Sequence, residues 1–379
     1  MVELTEEQGL IKDTAYKFSK ECLMPFATDW DENSIFPEKV VKEMGRLGFL
    51  GTMIPAKWGG AGADTVSFAL AVSGIAQGDG GLSTMMAVQA LVENVLLESG
   101  SEEQKQYWLP KLTSGKSIGA FLLTEVTSGS DAKNISTKAE RVGNHFILNG
   151  AKQFITSAPN SDIGIVFATT NVNSKKKEIS AFAVPMETQG ITIGQVEKKM
   201  GQRSSHTAQV SFENVKITPD CLLGIEGAGY KIALSHLESG RIAIAAQSMG
   251  FAEAAFNHAI DYAKDRKTFG KNISDHQVIS HRLADMATQI EAGKQLMLHA
   301  ARLKDAGKPS IKQASMAKLF CSETAEKVCS NAIQIFGGYG YLQGYHVERI
   351  YRDTKVTQIY EGTSDIQRMV IGREVIKND

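Results

Sequence analysis

Ile118-Gly119-Ala120-Phe121-Leu122-Leu123, running into Thr124-Glu125-Val126-Thr127-Ser128-Gly129-Ser130-Asp131, is where this chain changes its period. Upstream, apolar residues recur at helical spacing. Thr5 and Gln8 make a capping box ahead of Leu10, Ile11, Ala15, Phe18 and Cys22. Pro37 opens a second helix carrying Val40, Val41, Met44 and Leu47. A break at residues 55–62 is followed by helices after Asp64 and after Ser101, which pairs with Gln104 in another capping box. Downstream, residues 118–123, 146–148, 163–170, 179–184 and 207–212 read as strands. Lys175-Lys176-Lys177 falls in an expected hairpin loop, as a solvated charge run. From about residue 227 the pattern predicts long helices over 230–248, 251–266, 276–306 and 311–336. Strands bracketed by helices argue for a multi-domain α+β protein and against a doubly wound sheet. The expected domains are a helical one at 1–117, a β domain at 118–226 and a helical bundle at 227–379.

The bulk properties agree with this division. At 379 residues the chain exceeds what one core usually organises. A hydrophobic content of 42%, a charged content of 22% and a net charge of -1 argue against a general nucleic-acid binder. No uninterrupted apolar run is long enough to span a bilayer, and the first residues suit neither a secretory nor a transit peptide. Cys22, Cys221, Cys321 and Cys329 have no metal-ligand spacing, and a reduced, bacterial-type cytoplasmic setting is expected. Rossmann, Walker A, HExxH and GxSxG motifs are absent, and no metal site is expected.

Several segments can carry chemistry. The polar turn at 124–131 offers backbone donors and hydroxyls to a planar ligand, or is a plain strand–loop. Asn149-Gly150 signals a type I′ hairpin, and the alternation after it puts Phe154 and Thr156 on one face. Glu238 and Arg241 share a helix face, and a surface ion pair is the ordinary explanation. Arg266-Lys267-Thr268-Phe269-Gly270 ends a helix, with Gln277 shortly after. Gln334-Ile335-Phe336-Gly337-Gly338 ends another, and its glycines permit close approach of a ligand. In Ile359-Tyr360-Glu361-Gly362-Thr363-Ser364-Asp365-Ile366-Gln367-Arg368 a carboxylate sits on a turn before a new helix. Thr363 or Ser364 can cap that helix, whose N-terminus favours a polar or anionic partner. Each segment alone has a bland explanation.

Taken in this order, over roughly residues 5–375, the segments resemble the acyl-CoA dehydrogenase family, most nearly its short-chain (butyryl-CoA) branch. The resemblance implies an N-terminal α domain, a middle β-barrel-like domain and a C-terminal four-helix bundle, with FAD at the junction of the last two. It implies that Phe121, Leu123, Thr124, Gly129, Ser130, Phe154, Ile155 and Thr156 hold the flavin ring. It implies that Arg266, Phe269, Gln277, Gln334, Ile335, Gly337 and Gly338 reach the ADP half on a neighbouring subunit of a homotetramer, a dimer of dimers. Thr363, Ser364 and Asp365 fall near the pyrophosphate and ribityl chain. Ser130, Glu238, Arg241, Tyr360 and Gly362 fall near the acyl-CoA substrate. Glu361 holds the position of the family's usual base; some relatives carry the glutamate where this chain has Gly240.

The implied reaction is α,β-dehydrogenation of a short acyl-CoA to the trans-2-enoyl-CoA. Glu361 takes the α-proton, flavin N5 takes the β-hydride, and an electron-transfer flavoprotein receives the electrons. A carboxylate buried beside flavin and acyl chain should have a raised pKa. Alternatives are a branched or alicyclic acyl-CoA, an oxidase-like relative using O₂, or a non-catalytic acyl-CoA binder. Four features bear on these. Val126 stands where proline commonly follows the glutamate, which implies a looser turn. Phe154 replaces a frequent tryptophan. The run Ser73-Gly74-Ile75-Ala76-Gln77-Gly78-Asp79-Gly80-Gly81 is unusually rich in glycine, either making room for a bulkier acyl group or merely ending a helix. Ser83, in place of an arginine, disfavours a dicarboxylyl substrate.

Overall fold

The computed structural model describes residues 4–171 and 178–377. The lysine run at 175–177 lies outside the described residues.

The first third is helical: α1 (Glu6–Phe18), α2 (Ala27–Asn33), α3 (Glu38–Arg46), α4 (Thr65–Gly78), α5 (Gly80–Ser99) and α6 (Glu102–Thr113). Both expected capping boxes are present, at Thr5/Gln8 and Ser101/Gln104. Pro37 is the cap of α3 rather than its first residue, and Leu47 lies just past its end. Helix α2 has no counterpart in the sequence reading. It is short and acidic, and its buried Asp31 is held from a distance by Arg352 Nη2 at 2.7 Å. A contact across 321 positions leaves no local signal.

A single residue, Asp79, separates α4 from α5 and caps the latter by accepting from Leu82 N at 2.8 Å. The glycines around it are packing sites, which corrects the idea that they enlarge an acyl cavity. A Cβ on Gly74 would lie 2.7 Å from Ala15 Cβ, one on Gly78 2.7 Å from Leu23 Cβ, and one on Gly80 2.8 Å from an Asp353 oxygen. Helix α5 is long and apolar enough to cross a membrane by length and composition alone, but 78% of its apolar window is buried inside the fold, as in a core helix. One face of α5 meets the β domain. There Gln89 is fully satisfied, donating to Leu112 O and Ser117 O and accepting from Gly119 N. One turn on, Glu93 is buried with Oε1 unpartnered among the described residues, and burial pushes its carboxyl well above the ordinary range.

The β domain contains β1 (Gly119–Leu122), β2 (Lys138–Val142), β3 (His145–Thr156), β4 (Ile163–Thr169), β5 (Ile179–Pro185), β6 (Ile191–Ile193), β7 (Thr207–Ile217) and β8 (Leu222–Leu223). Their order is β6-β7-β3-β2-β4-β5-β8, with β1 added parallel to β4. Inward residues of β1, β3, β4, β5 and β7 form one core without a helix in it, so the sheet folds over on itself in barrel fashion. The opposite side of β4 (Ile163, Ile165, Phe167) packs on α5 and α6. Asn149-Gly150 is not a hairpin turn. Gly150 lies inside β3 with φ 144°, at a register shift against β7. Pairing to β2 on one side and β7 on the other keeps the strand running, and a bulge absorbs the glycine.

The last third contains α7 (Gly229–Asp265), a small hairpin of β9 (Lys267–Thr268) and β10 (Lys271–Asn272), then α8 (Gln277–Asp305), α9 (Ile311–Phe336), α10 (His346–Thr354) and α11 (Ser364–Ile376). The two helices expected at 230–248 and 251–266 are one. Gly250 does not break it but lets α4 cross closely, since a Cβ there would lie 2.3 Å from Ser73 O. Apolar residues of α1, α4 and α5 share a single core with those of α7, α8 and α9. The terminal turn therefore meets α5, α7 and α9 at a place fixed by helix packing.

Candidate active site

The turn before α11 is built from two successive left-handed residues, Glu361 (φ 54°) and Gly362 (φ 86°). Glycine adopts this region freely; a glutamate does so at a cost of roughly 1 kcal/mol or more unless its surroundings hold it. Here they do. The buried Gln367 donates through Nε2 to Glu361 O at 3.2 Å and to Gly362 O at 2.9 Å. Lys318, fully buried in the middle of α9, donates through Nζ to the same Gly362 carbonyl at 2.7 Å. Thr363, as expected, caps α11 by accepting from Ile366 N at 3.3 Å.

The carboxylate of Glu361 lies against the backbone of α7. A Cβ on Gly240 would come within 2.5 Å of its Oε2, so glycine at 240 and glutamate at 361 fit as a pair. Oε2 is buried without a hydrogen-bond partner among the described residues. Burial raises the Glu361 carboxyl to about 7, with the charges of Arg241 and Lys318 partly offsetting that rise. Neither cation forms an ion pair with it among the described residues. Arg241 is buried, donating through Nη1 to Ser315 Oγ at 3.2 Å, and Glu238 is bonded to Ser310 Oγ. The surface ion pair between Glu238 and Arg241 is therefore not formed. The result is a carboxylate able to take a proton at neutral pH.

Tyr360, beside it, joins all three regions of the chain. Its hydroxyl bonds Gln247 of α7, Thr84 of α5 at 3.3 Å and Gln202 of the β domain at 3.3 Å. Gln202 in turn is held by Asp353 of α10. Gln247 also donates to Ser83 Oγ at 2.8 Å and Thr84 Oγ1 at 2.7 Å.

The β-domain residues form a second surface. Gln153 N donates to Thr124 O at 2.9 Å, which sets the strand bearing Phe154, Ile155 and Thr156 beside Leu123 and Thr124. Ile155 is buried, whereas Phe154 is 64% exposed with φ 58° at a register shift. Phe121 tilts on Phe167 beneath, and Ser130 is exposed on the loop. The turn at 125–128 is not loosened by the missing proline. Glu125 and Ser128 exchange backbone hydrogen bonds at 3.0 and 3.1 Å. Glu125 also pairs with the fully buried Lys152 at 2.8 Å and accepts from Ser136 and Thr137. Burial alone would raise the Glu125 carboxyl, but Lys152 and these bonds hold it down to about 2.

A third surface is a groove of about 520 Å³ at the end of α9, lined by Arg266, Ile335, Gly337 and Gly338 together with Tyr339 and Leu342. Gln334 and Gln277 lie on the adjoining helix ends, and Phe269 on the β9–β10 turn is 96% exposed. Asp365 also points outward, beside Arg368.

These features suit a planar ring with a phosphate tail. Phe154 is exposed at φ 58° and has no aromatic partner among the described residues. Among the described residues, a Cβ on Gly129, Gly337 or Gly338 would meet nothing within 4 Å, and Ser157 Oγ and Ser364 Oγ are buried unpartnered. Lys318, Lys152, Gln202, Gln247 and Gln367 escaped the sequence reading. The two lysines left a signal: each interrupts a buried face, among Ala314, Ala317 and Cys321 on α9 and after Phe146 and Leu148 on β3. The three glutamines left none.

Comparison with known proteins bears on these surfaces. Models of the acyl-CoA dehydrogenase N-terminal, middle and C-terminal domains match residues 5–116, 120–215 and 227–376. The short-chain specific acyl-CoA dehydrogenase of human mitochondria is 44% identical over 100% of this chain and 92% of its own. The structure of butyryl-CoA dehydrogenase from Megasphaera elsdenii superposes with a TM-score of 0.96 at 40% identity, covering 99% of this chain and 100% of that one. A glutaryl-CoA dehydrogenase from Mycobacterium smegmatis in complex with FADH2 is 32% identical with a TM-score of 0.94, covering 99% and 95%.

Proposed function

The chain belongs to the acyl-CoA dehydrogenase family, FAD-dependent oxidoreductases acting on CH–CH bonds, and on that premise we propose that it converts a short, straight acyl-CoA to its trans-2-enoyl-CoA with Glu361 as the base. The observation that carries this reading is the Glu361 carboxylate: buried, unpaired at Oε2, raised to about 7, and fixed on a left-handed turn.

A thioester α-proton is weakly acidic, so its removal needs a base aimed at it and donors for the developing enolate oxygen. Oε2 has a vacant lone pair and receives the proton. The backbone N–H of Glu361 is not engaged by another group among the described residues and is available to the thioester carbonyl. Glu238, Arg241 and Ser130 border the route of the CoA arm. Phe121, Leu123, Thr124, Gly129, Ser130, Phe154, Ile155 and Thr156 would hold the flavin ring. Arg266, Phe269, Gln277, Gln334, Ile335, Gly337, Gly338, Thr363, Ser364 and Asp365 would hold the remainder of FAD. Bound FAD supplies the acceptor for the β-hydrogen and its electron pair. The exposed groove and Phe269 suit completion by a second copy, in a homotetramer, and electrons pass onward to an electron-transfer flavoprotein.

A short acyl chain is supported by the likeness to the short-chain specific human enzyme and to butyryl-CoA dehydrogenase. Ser83, bonded to Gln247, is neutral and offers no cation to a second carboxylate.

The test is Glu361→Gln. The variant should purify yellow, as a tetramer by light scattering, and its flavin should not bleach with butyryl-CoA. Near-normal turnover of this variant ends the assignment. Bleaching rates across butyryl-, isobutyryl-, cyclohexanecarbonyl- and octanoyl-CoA test the chain-length reading.

A further inference from the structure

Lys318 has no part in the reaction as stated, yet it is the most deeply buried cation beside the base. Its side chain is fully enclosed in mid-helix, and its ammonium donates to Gly362 O at 2.7 Å. Placing a lysine there costs desolvation, and no carboxylate forms an ion pair with it among the described residues. The carbonyl it binds belongs to the second residue of the strained Glu361–Gly362 turn, so the bond acts on the backbone that aims the base. Gln367 satisfies the same carbonyl at 2.9 Å, so hydrogen bonding alone does not explain a lysine at 318.

We propose that Lys318 is a positioning residue for the base: its ammonium both ties down the Gly362 carbonyl and sets a positive charge near the Glu361 carboxylate without neutralising it. The proposal rests on the assignment of Glu361 above.

The charged groups around the pair are few. Helix α7 contributes Glu238 and Arg241, α9 contributes Lys318 and Glu323, and α11 contributes Arg373, with Tyr360 preceding the base. Burial lowers Lys318 to about 8, with Arg241 adding to the fall and Glu361 and Glu323 opposing it. Lys318 is thus mostly charged at neutral pH. Burial raises Glu361, and the two cations hold it to about 7. Arg241 is committed to Ser315 and charged at all accessible pH, so Lys318 is the cation that also acts on the turn.

The two roles separate by substitution. Lys318→Gln keeps a neutral donor of similar reach; Lys318→Met removes charge and donor together; Lys318→Arg keeps the charge. With butyryl-CoA and the FAD-loaded enzyme, the acid limb of the bleaching rate should move up by about one pH unit in both neutral variants. That is a loss of about tenfold below the limb. The pH-independent plateau should fall further only in Lys318→Met, and Lys318→Arg should leave the limb in place. A second readout is independent of turnover. The protonated-carboxyl infrared band that vanishes in Glu361→Gln should titrate at higher pH in Lys318→Gln. An unmoved limb and an unmoved band in both neutral variants overturn the proposal while leaving Glu361 as base. Full turnover of Glu361→Gln removes the base assignment instead.

Discussion

Replacing Glu93 by leucine should stabilise this protein, increasingly so as pH rises. Glu93 is 1% exposed on the α5 face that meets the β domain, its Oε1 has no partner, and burial alone drives its carboxyl well above the ordinary range. A group whose folded-state pKa is raised holds its proton more tightly when folded. Its effect is therefore absent below the unfolded value near 4.5, and stability is lost as pH climbs from there toward the folded value. The slope is about 1.4 kcal/mol per pH unit over the range in which the folded group stays protonated and the unfolded one is ionised. Leucine removes that slope and adds apolar burial where Val92, Val95 and Leu96 already pack. The gain should grow as pH rises from about 4.5 to 7.5, on top of a packing gain that does not depend on pH. Thermal denaturation of the FAD-loaded protein across that range measures it, with Glu93→Gln as a control that keeps a polar group but cannot titrate. A melting difference independent of pH, or a wild type more stable than Glu93→Leu throughout, refutes the reasoning by showing that Glu93 has a partner in the assembled protein.

Gly240→Ala places a methyl where the Glu361 carboxylate now lies, 2.5 Å from Oε2, and that flexible end must move by roughly 1 Å. The fold should tolerate this with little change in Tm while kcat drops about tenfold or more; an unchanged kcat contradicts the placement of the base. The base itself should cost stability. Because Glu361 is raised to about 7, Glu361→Gln should be more stable than wild type by about 3 kcal/mol above pH 7 and no more stable near pH 4.5, read by denaturation at both pH values. Wild-type turnover should fall as pH drops below about 7, since only the ionised carboxylate accepts the α-proton. Lys152→Met strands the Glu125 carboxylate and should lower stability by about 3–5 kcal/mol with loss of bound flavin on gel filtration. The double variant with Glu125→Leu should recover much of that stability, and full flavin retention by the single variant counts against the brace.

Local chemistry wrote much of this protein into its sequence. The capping boxes at Thr5 and Ser101, the change of period near residue 118 and the return of helical spacing after 227 depend on neighbours a few positions apart. They determine helix, strand and helix in that order. The turn at Tyr360-Glu361-Gly362-Thr363 was legible as a carboxylate on a loop before a capped helix, since a carboxylate, a glycine and a capping hydroxyl lie side by side. What required the tertiary structure is everything that crosses the chain. Helix α2 is held by Arg352, and α7 runs unbroken through Gly250 because a helix crosses it there. Asn149-Gly150 lies inside a strand because two neighbours pair with it. The pKa of Glu361 was decided the same way. Burial against Gly240 raises its carboxyl, and Arg241 and Lys318 hold it to about 7, from positions between 43 and 121 residues away. Burial and Coulomb interactions act through space, and a linear pattern records only what is adjacent along the backbone.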